Sequence, residues 1–320
     1  MNEKLLDQAR QALLDAAYVC PHTDADGLAA GAIALRLRGE SANDALLLGR
    51  GVNPWHDGVL PDGYPAVLDQ GIRKLDRPML IVDHHAPEAK PQKNQIYIGG
   101  HGEPSGVSTS VLMRRVVPDT PPWLAAVGAA GDYGDDGFKQ PECIGETKED
   151  KVVKTHVKKL VSLVNAPRRT PRIEPVRVAL SLLVEAESPK AALADKRIEE
   201  LDACKREYRA EFDRCMKTAP QVGDEVALIR FSSDYQVHPL VAQTWLRRLS
   251  PKIVISANDG YTKGNTHFAC RGGPDDVDLR AFLKKKLPDA TGEFAHGHTK
   301  ATGGSIPHAD FDRLVAALGL

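Results

Sequence analysis

Aromatic residues are scarce, at 5% of the 320 positions. A protein that gripped nucleic acid mainly by stacking bases would carry more, so any such contact is expected to run through phosphate. Charge of one sign is lacking too: 42 Lys+Arg stand against 43 Asp+Glu, a net of -1, which excludes a global basic field that draws in polyanions. The five cysteines (Cys20, Cys143, Cys204, Cys215, Cys270) are odd in number and scattered, with no C-x-x-C. That pattern argues against a disulfide scaffold or a thiolate zinc site and predicts reduced thiols in a cytoplasm. No apolar run reaches bilayer-spanning length, and there is neither a low-complexity tract nor a fixed-period repeat, so a soluble protein with no membrane partner is expected. The opening MNEKLLDQARQALLDAA sets Leu5, Ala9, Ala12, Leu13 and Ala16 at helical spacing among mixed charges. It reads as an amphipathic helix, not a signal peptide.

What is present fits two globular domains, because 320 residues are long for one core. Up to about residue 140, short apolar runs alternate with helical patterns: AAYVC (16 to 20), DALLLG (44 to 49), PAVLD (65 to 69) and MLIVD (79 to 83). This predicts an α/β fold with a mostly parallel amino-terminal sheet and helices on both faces. Residues 190 to 217 are highly charged and free of Gly and Pro, and predict one long linker helix. A smaller carboxy-terminal α/β set follows: EVALIRF, a helix through LVAQTWLRRL, KIVISAND, THFACRG, a helix through DLRAFLKKKL, and a final helix. The expected division is 1–187, a linker helix over 188–218, and 219–320. A basic run (Lys148, Lys151, Lys154, Lys158, Lys159, then Arg168, Arg169, Arg172) reads as a solvated helix and a Pro-rich loop.

Several strands end in residues able to bind a cation, at the edge where open α/β sheets bind ligands. In P-H-T-D-A-D-G, His22, Asp24 and Asp26 alternate directly after a strand, and Gly27 is expected to let the chain turn into the next helix. Carboxylates gathered so closely repel unless a cation neutralises them; the alternative is that Asp24 or Asp26 caps the helix. Asp83, His84 and His85 close MLIVD, Asp69 closes PAVLD, and Asp132 follows a small-residue helix. Imidazoles and carboxylates without thiolate suit Mn²⁺, with Mg²⁺ or Co²⁺ as alternatives. The candidates are too many for one ion, whereas two ions about 3.5 to 4 Å apart would use them all and serve in-line displacement at phosphorus.

H-T-D-A-D-G (22 to 27), the Asp69 of V-L-D-Q-G, V-D-H-H-A (82 to 86) and G-A-A-G-D (128 to 132) together resemble the motif set of the DHH phosphoesterase superfamily, in the same order. F-A-H-G-H-T-K-A-T-G-G (294 to 304) resembles the Gly-Gly-His signature of the substrate domain that accompanies DHH nucleases. The resemblance spans nearly the whole chain and implies roles. His22, Asp24 and a bridging Asp69 would hold one metal; Asp26, Asp69, His84 and Asp132 would hold the other. His85 would sit over the scissile phosphate, and Asp83 would orient a histidine. Gly297, His298, Gly303 and Gly304 would form a backbone-rich loop for a substrate phosphate, helped by Thr299 and Lys300, with Arg271 as a further phosphate contact. The family loop begins Gly-Gly-His, whereas here His296 holds the first glycine position, which bears on substrate preference. Asp135 or Asp136 could stand in for Asp132.

The resemblance implies a metal-dependent phosphodiesterase or exonuclease. The Gly-His loop argues against the pyrophosphatase branch, and a full-length RecJ needs further domains, so short single-stranded oligonucleotides cut to 5′-mononucleotides are the expected substrate. A cyclic or linear dinucleotide or a 3′-phosphoadenosine-type nucleotide is the alternative. A non-catalytic nucleotide-binding relative would be expected to show gaps among the ligand residues, and there are none. A homodimer is compatible with the sequence, which sets no oligomeric state.

Overall fold

The computed structural model describes residues 2–103, 106–145, 152–249, 252–274 and 276–320. The chain forms two compact units, Met1–Arg168 with Arg172–Lys205, and Arg169–Pro171 with Arg206–Leu320.

The first unit runs α1 (Glu3–Asp15), β1 (Tyr18–Pro21), α2 (Ala25–Arg38), β2 (Pro65–Leu68), β3 (Met79–Asp83), β4 (Gln95–Gly99), α3 (Thr109–Val116), α4 (Pro122–Tyr133), α5 (Lys154–Val164), α6 (Glu174–Glu185), α7 (Pro189–Ala194) and the start of α8 (Ile198–Cys215). Its four strands lie in the order β1-β2-β3-β4, all parallel. β2 and β3 are buried at every position, which is why they read as unbroken apolar runs with no alternation. On one face Val19, Ala66, Leu68, Leu80, Val82 and Ile98 join a core built with α1 to α6. On the other, where the sequence predicts a second helical layer, Cys20, Val67, Met79 and Ile81 meet Trp55, Leu60 and Ile72 from the connecting segments. α2 is buried from Ala25 to Leu35, since strands cover one side of it and α4 and α6 the other. Its all-round apolar character follows from that double cover.

Two elements differ from the sequence reading. DALLLG forms no strand: Ala42–Asp44 is a 3₁₀ turn and a single bridge links Ala45 to Val19. The long linker helix is two helices, α7 and α8, because Asp195 accepts the Arg197 N–H at 2.8 Å and holds the Arg197 guanidinium. An aspartate whose side chain takes a nearby backbone N–H ends one helix and starts another.

The second unit contains the rest of α8, then β5 (Gln221–Val222), β6 (Val226–Phe231), α9 (His238–Leu249), β7 (Ile253–Thr262), β8 (Asn265–Gly272), α10 (Leu279–Lys286), β9 (Glu293–His298), β10 (Ala301–Pro307) and α11 (His308–Ala317). Its mixed sheet has the order β5-β6-β7-β8-β10-β9. Phe268, Phe294 and Phe311 cluster in one of its cores. Among the described residues no helix is long and apolar enough to cross a membrane, and all five cysteines are buried free thiols.

Candidate metal centre

The carboxyl ends of β1, β2 and β3 gather the residues expected at one rim. Asp24 is the N-cap of α2: its Oδ1 accepts the Gly27 N–H at 3.1 Å, so the capping alternative holds for that oxygen. Its Oδ2 does something else, lying 2.9 Å from His22 Nδ1 and 2.7 Å from Arg168 Nη1. Gly27 is already inside α2, so it does not turn the chain into the helix as expected. A methyl group there would overlap the His22 carbonyl, and glycine is what lets the motif fold back on itself.

Asp26 is wholly buried and accepts the backbone N–H groups of Thr109 at 2.6 Å and Ser110 at 2.9 Å. Those are unpaired donors at the start of α3, where a carboxylate is favoured by both hydrogen bonding and the helix dipole. Asp69 directly follows β2 with φ 63°, a left-handed conformation that aspartate tolerates better than most residues. Its two oxygens face different ways. Oδ2 is 3.7 Å from His22 Nδ1, while Oδ1 is 3.5 Å from His84 Nε2 and accepts the Thr109 hydroxyl at 2.8 Å.

His84 Nε2 also stands 3.4 Å from Asp132 Oδ2 and 4.0 Å from Asp26 Oδ2. The Tyr133 hydroxyl donates to the Val107 carbonyl, so it accepts from His84 Nδ1 at 3.1 Å and leaves Nε2 as a bare lone pair turned toward the carboxylates. Asp83 Oδ2 accepts the Gly71 N–H at 2.6 Å; Oδ1 accepts the His85 N–H at 2.6 Å and lies 3.1 Å from His85 Nδ1. The histidine that Asp83 orients is therefore His85. Asp135 and Asp136 pair with Lys158 and Lys139 on the surface, and it is Asp132 that reaches the cluster.

Three sets of ligand atoms each fall within 4.8 Å of one another: His22, Asp24 and Asp69; Asp26, His84 and Asp132; and Asp69, His84 and His85. Burial first, and then the charges of Asp26, Asp69 and Asp24, push Asp132 up to about 11; burial and the neighbouring carboxylates likewise raise Asp69 far above the usual range. Burial works against the Asp24 charge, yet His22, Arg168 and the Gly27 N–H hold it well below that range. For His85 burial is outweighed by Asp83 and Asp69, which keep it up at about 9, whereas burial lowers His84. His22 Nδ1, though at ion-pair distance from Asp24, is buried without an aligned hydrogen bond. Carboxylates crowded to mutual repulsion, with the Nε2 of His84 and the Nδ1 of His22 turned among them, form a donor set that a divalent cation fits.

In the second unit the carboxy-terminal motif is a β-hairpin, not a glycine loop. Gly303 and Gly304 lie within β10 between β8 and β9, where any side chain would strike the Phe268 and Glu293 carbonyls. Their absence of side chain serves strand approach. Gly297 has φ 111° next to the Thr299-Lys300 turn, and the His298 side chain lies outside the described part. Lys300 Nζ donates to the Pro274 carbonyl. Arg271, one residue before the end of β8, lies opposite Ala301 and donates to the Cys270 and Thr302 carbonyls at 2.9 and 3.1 Å. His296, at the position where the family has glycine, pairs with Glu293 at 3.2 Å.

Sequence reasoning misses Thr109, Ser110, Tyr133 and Arg168. Arg168 reads as part of a solvated basic run, whose Lys148 and Lys151 lie outside the described residues. The spacing of S-T-S after a loop signals only a helix start, and nothing in the string ties it to an aspartate 83 residues earlier.

No protein-family model matches the chain, and no curated protein matches it either. Solved structures do. RecJ from Thermus thermophilus in complex with Mn²⁺ aligns at a TM-score of 0.64 and 18% identity over 99% of this chain and 55% of that one. The chain thus spans about half the length of that RecJ. A DHH domain described as a member of the s1p family of ribosomal proteins aligns at 0.64 and 14% identity, over 99% and 89%. The pGpG-specific phosphodiesterase PggH from Vibrio cholerae aligns at 0.54 and 17% identity, over 94% and 97%. All three are DHH superfamily members, and the likeness establishes that this chain has the DHH fold.

Proposed function

We propose that the chain is a divalent-metal-dependent phosphodiesterase that hydrolyses short single-stranded oligonucleotides to 5′-mononucleotides. The observation that carries the reading is Asp69, whose two oxygens face two separate donor sets, one toward His22 and one toward His84. A carboxylate placed so is suited to bridge two cations. His22 and Asp24 would complete one position, and Asp26, His84 and Asp132 the other. Such a pair, when bound, lowers the pKa of a water and neutralises charge at phosphorus.

The chain's own groups prepare the remainder. Tyr133 fixes the His84 ring, and Thr109 fixes Asp69. Asp83 holds His85 so that its outer nitrogen is free to donate to a substrate phosphoryl oxygen. Arg271, Thr299 and Lys300, at adjacent ends of β8 and the β9–β10 turn, would contact a further phosphate, with the Gly297–His298 backbone beside them. Mn²⁺ is the cation we assign, from the mixed imidazole and carboxylate donors alone, since RecJ structures hold Mn²⁺ in one case and Mg²⁺ in another.

A linear dinucleotide is a second reading within the same chemistry, supported by the pGpG-specific structure, which the chain matches over 97% of its length. The test is a turnover panel with Mn²⁺: a linear dinucleotide, a twenty-nucleotide DNA, a cyclic dinucleotide and pyrophosphate. The shortest linear oligomer should turn over fastest and EDTA should stop it. Fastest turnover of pyrophosphate, or turnover indifferent to EDTA, would contradict the reading.

A further inference from the structure

We infer that Arg168 makes the two cation positions at Asp69 unequal, weakening the one formed by His22, Asp24 and Asp69 so that it fills after the one formed by Asp26, His84 and Asp132. The inference rests on the metal reading above and concerns which position is weak and why.

Arg168 Nη1 donates to Asp24 Oδ2 at 2.7 Å, and this is the same oxygen that faces His22 Nδ1. The Arg168 side chain is 20% exposed, so little water separates it from the site. A cation held by that oxygen at a typical bond length of about 2.1 Å would stand within about 5 Å of a guanidinium that does not lose its charge. Like charges at that distance, partly shielded from solvent, repel. The fold keeps the guanidinium in place: Asn165, three residues earlier, accepts the Ala25 N–H at 2.9 Å, tying the segment after α5 to the first turn of α2 beside Asp24.

Nothing comparable touches the other position among the described residues. Among the described residues Asp26 and Asp132 have no Arg or Lys partner; their ion-pair contacts are both to His84. Carboxylates that face one another there gain most from a cation. The arrangement thus divides the labour: one position is set to hold its ion tightly, while Arg168 already satisfies part of the charge at the other.

Calorimetric titration of the full chain with MnCl₂ tests this directly. The wild type should show two classes of site separated by at least about tenfold in affinity. Asp24→Asn should remove the weak class and Asp132→Asn the tight one. Arg168→Gln should strengthen the weak class by about tenfold or more and leave the tight class alone, whereas Arg168→Lys should retain wild-type behaviour. Circular dichroism checks that each variant is folded, and Arg168→Met gives the same comparison if the Gln variant is not. An unchanged or weakened weak class in Arg168→Gln, or equal shifts in the Gln and Lys variants, would overturn the inference. If neither Asp24→Asn nor Asp132→Asn altered Mn²⁺ binding, the metal reading itself would fail and this inference with it.

Discussion

Asp83 and His85 are joined twice through one carboxylate oxygen, which accepts the His85 backbone N–H at 2.6 Å and lies 3.1 Å from its Nδ1. The second Asp83 oxygen is taken by the Gly71 N–H, so the carboxylate has no freedom to turn. Asp83→Asn keeps the shape but can present an oxygen to only one of these two sides. Turnover of a linear dinucleotide should fall by about 10- to 100-fold, in a variant that is folded by circular dichroism but less stable by about 1 to 3 kcal/mol, because one buried N–H loses its acceptor. Full activity in this variant would show that His85 needs no such anchor.

Gly128, on α4, lies against Asp26 and Ser110 so closely that a methyl group would overlap the Asp26 carboxylate and the Ser110 hydroxyl. Gly128→Ala must therefore push α4 away from the start of α3 or displace Asp26. Urea unfolding should register a loss of about 1 to 3 kcal/mol, and Mn²⁺ affinity should fall along with it. A variant as stable as wild type with unaltered Mn²⁺ binding would mean that α4 yields without cost.

These two contacts mark the boundary of what is legible in the sequence. β1, β2 and β3 are readable because their apolar runs are short and closed by Asp69, Asp83 and the His22 segment, and those terminal residues name most of the centre. α2 and α4 are readable from their small, apolar composition. The partners of Asp26 are not, since Thr109 and Ser110 offer backbone N–H groups, and a backbone donor has no residue type. Arg168 is hidden because a charge in a basic run carries no sign of the carboxylate it meets in space. Gly303 and Gly304 read as loop because glycine marks turns and strand crowding alike; only the pairing of β10 with β8 and β9 distinguishes them.

His238, the first residue of α9, is buried beside Tyr261 and His267, with Nδ1 lacking a hydrogen bond. Burial first, then the nearby His267, Arg169 and Arg271, hold it well below the usual histidine value. The folded chain therefore leaves it neutral while the unfolded chain protonates it below about pH 6.5. Because the unfolded state binds the extra proton, this group's contribution is fully present above that pH and declines as pH falls, by about 1.4 kcal/mol per pH unit. Melting curves between pH 7.5 and 5.5 should show a steeper acid loss in wild type than in His238→Gln. Equal slopes would contradict the assignment.

The account stands on two cations sharing Asp69, and anomalous diffraction at the manganese edge from crystals grown with Mn²⁺ measures that directly. Two peaks should appear on either side of the Asp69 carboxylate, one against His22 and Asp24 and the other against Asp26, His84 and Asp132. A single peak away from Asp69, or none at this rim at millimolar Mn²⁺, would contradict it.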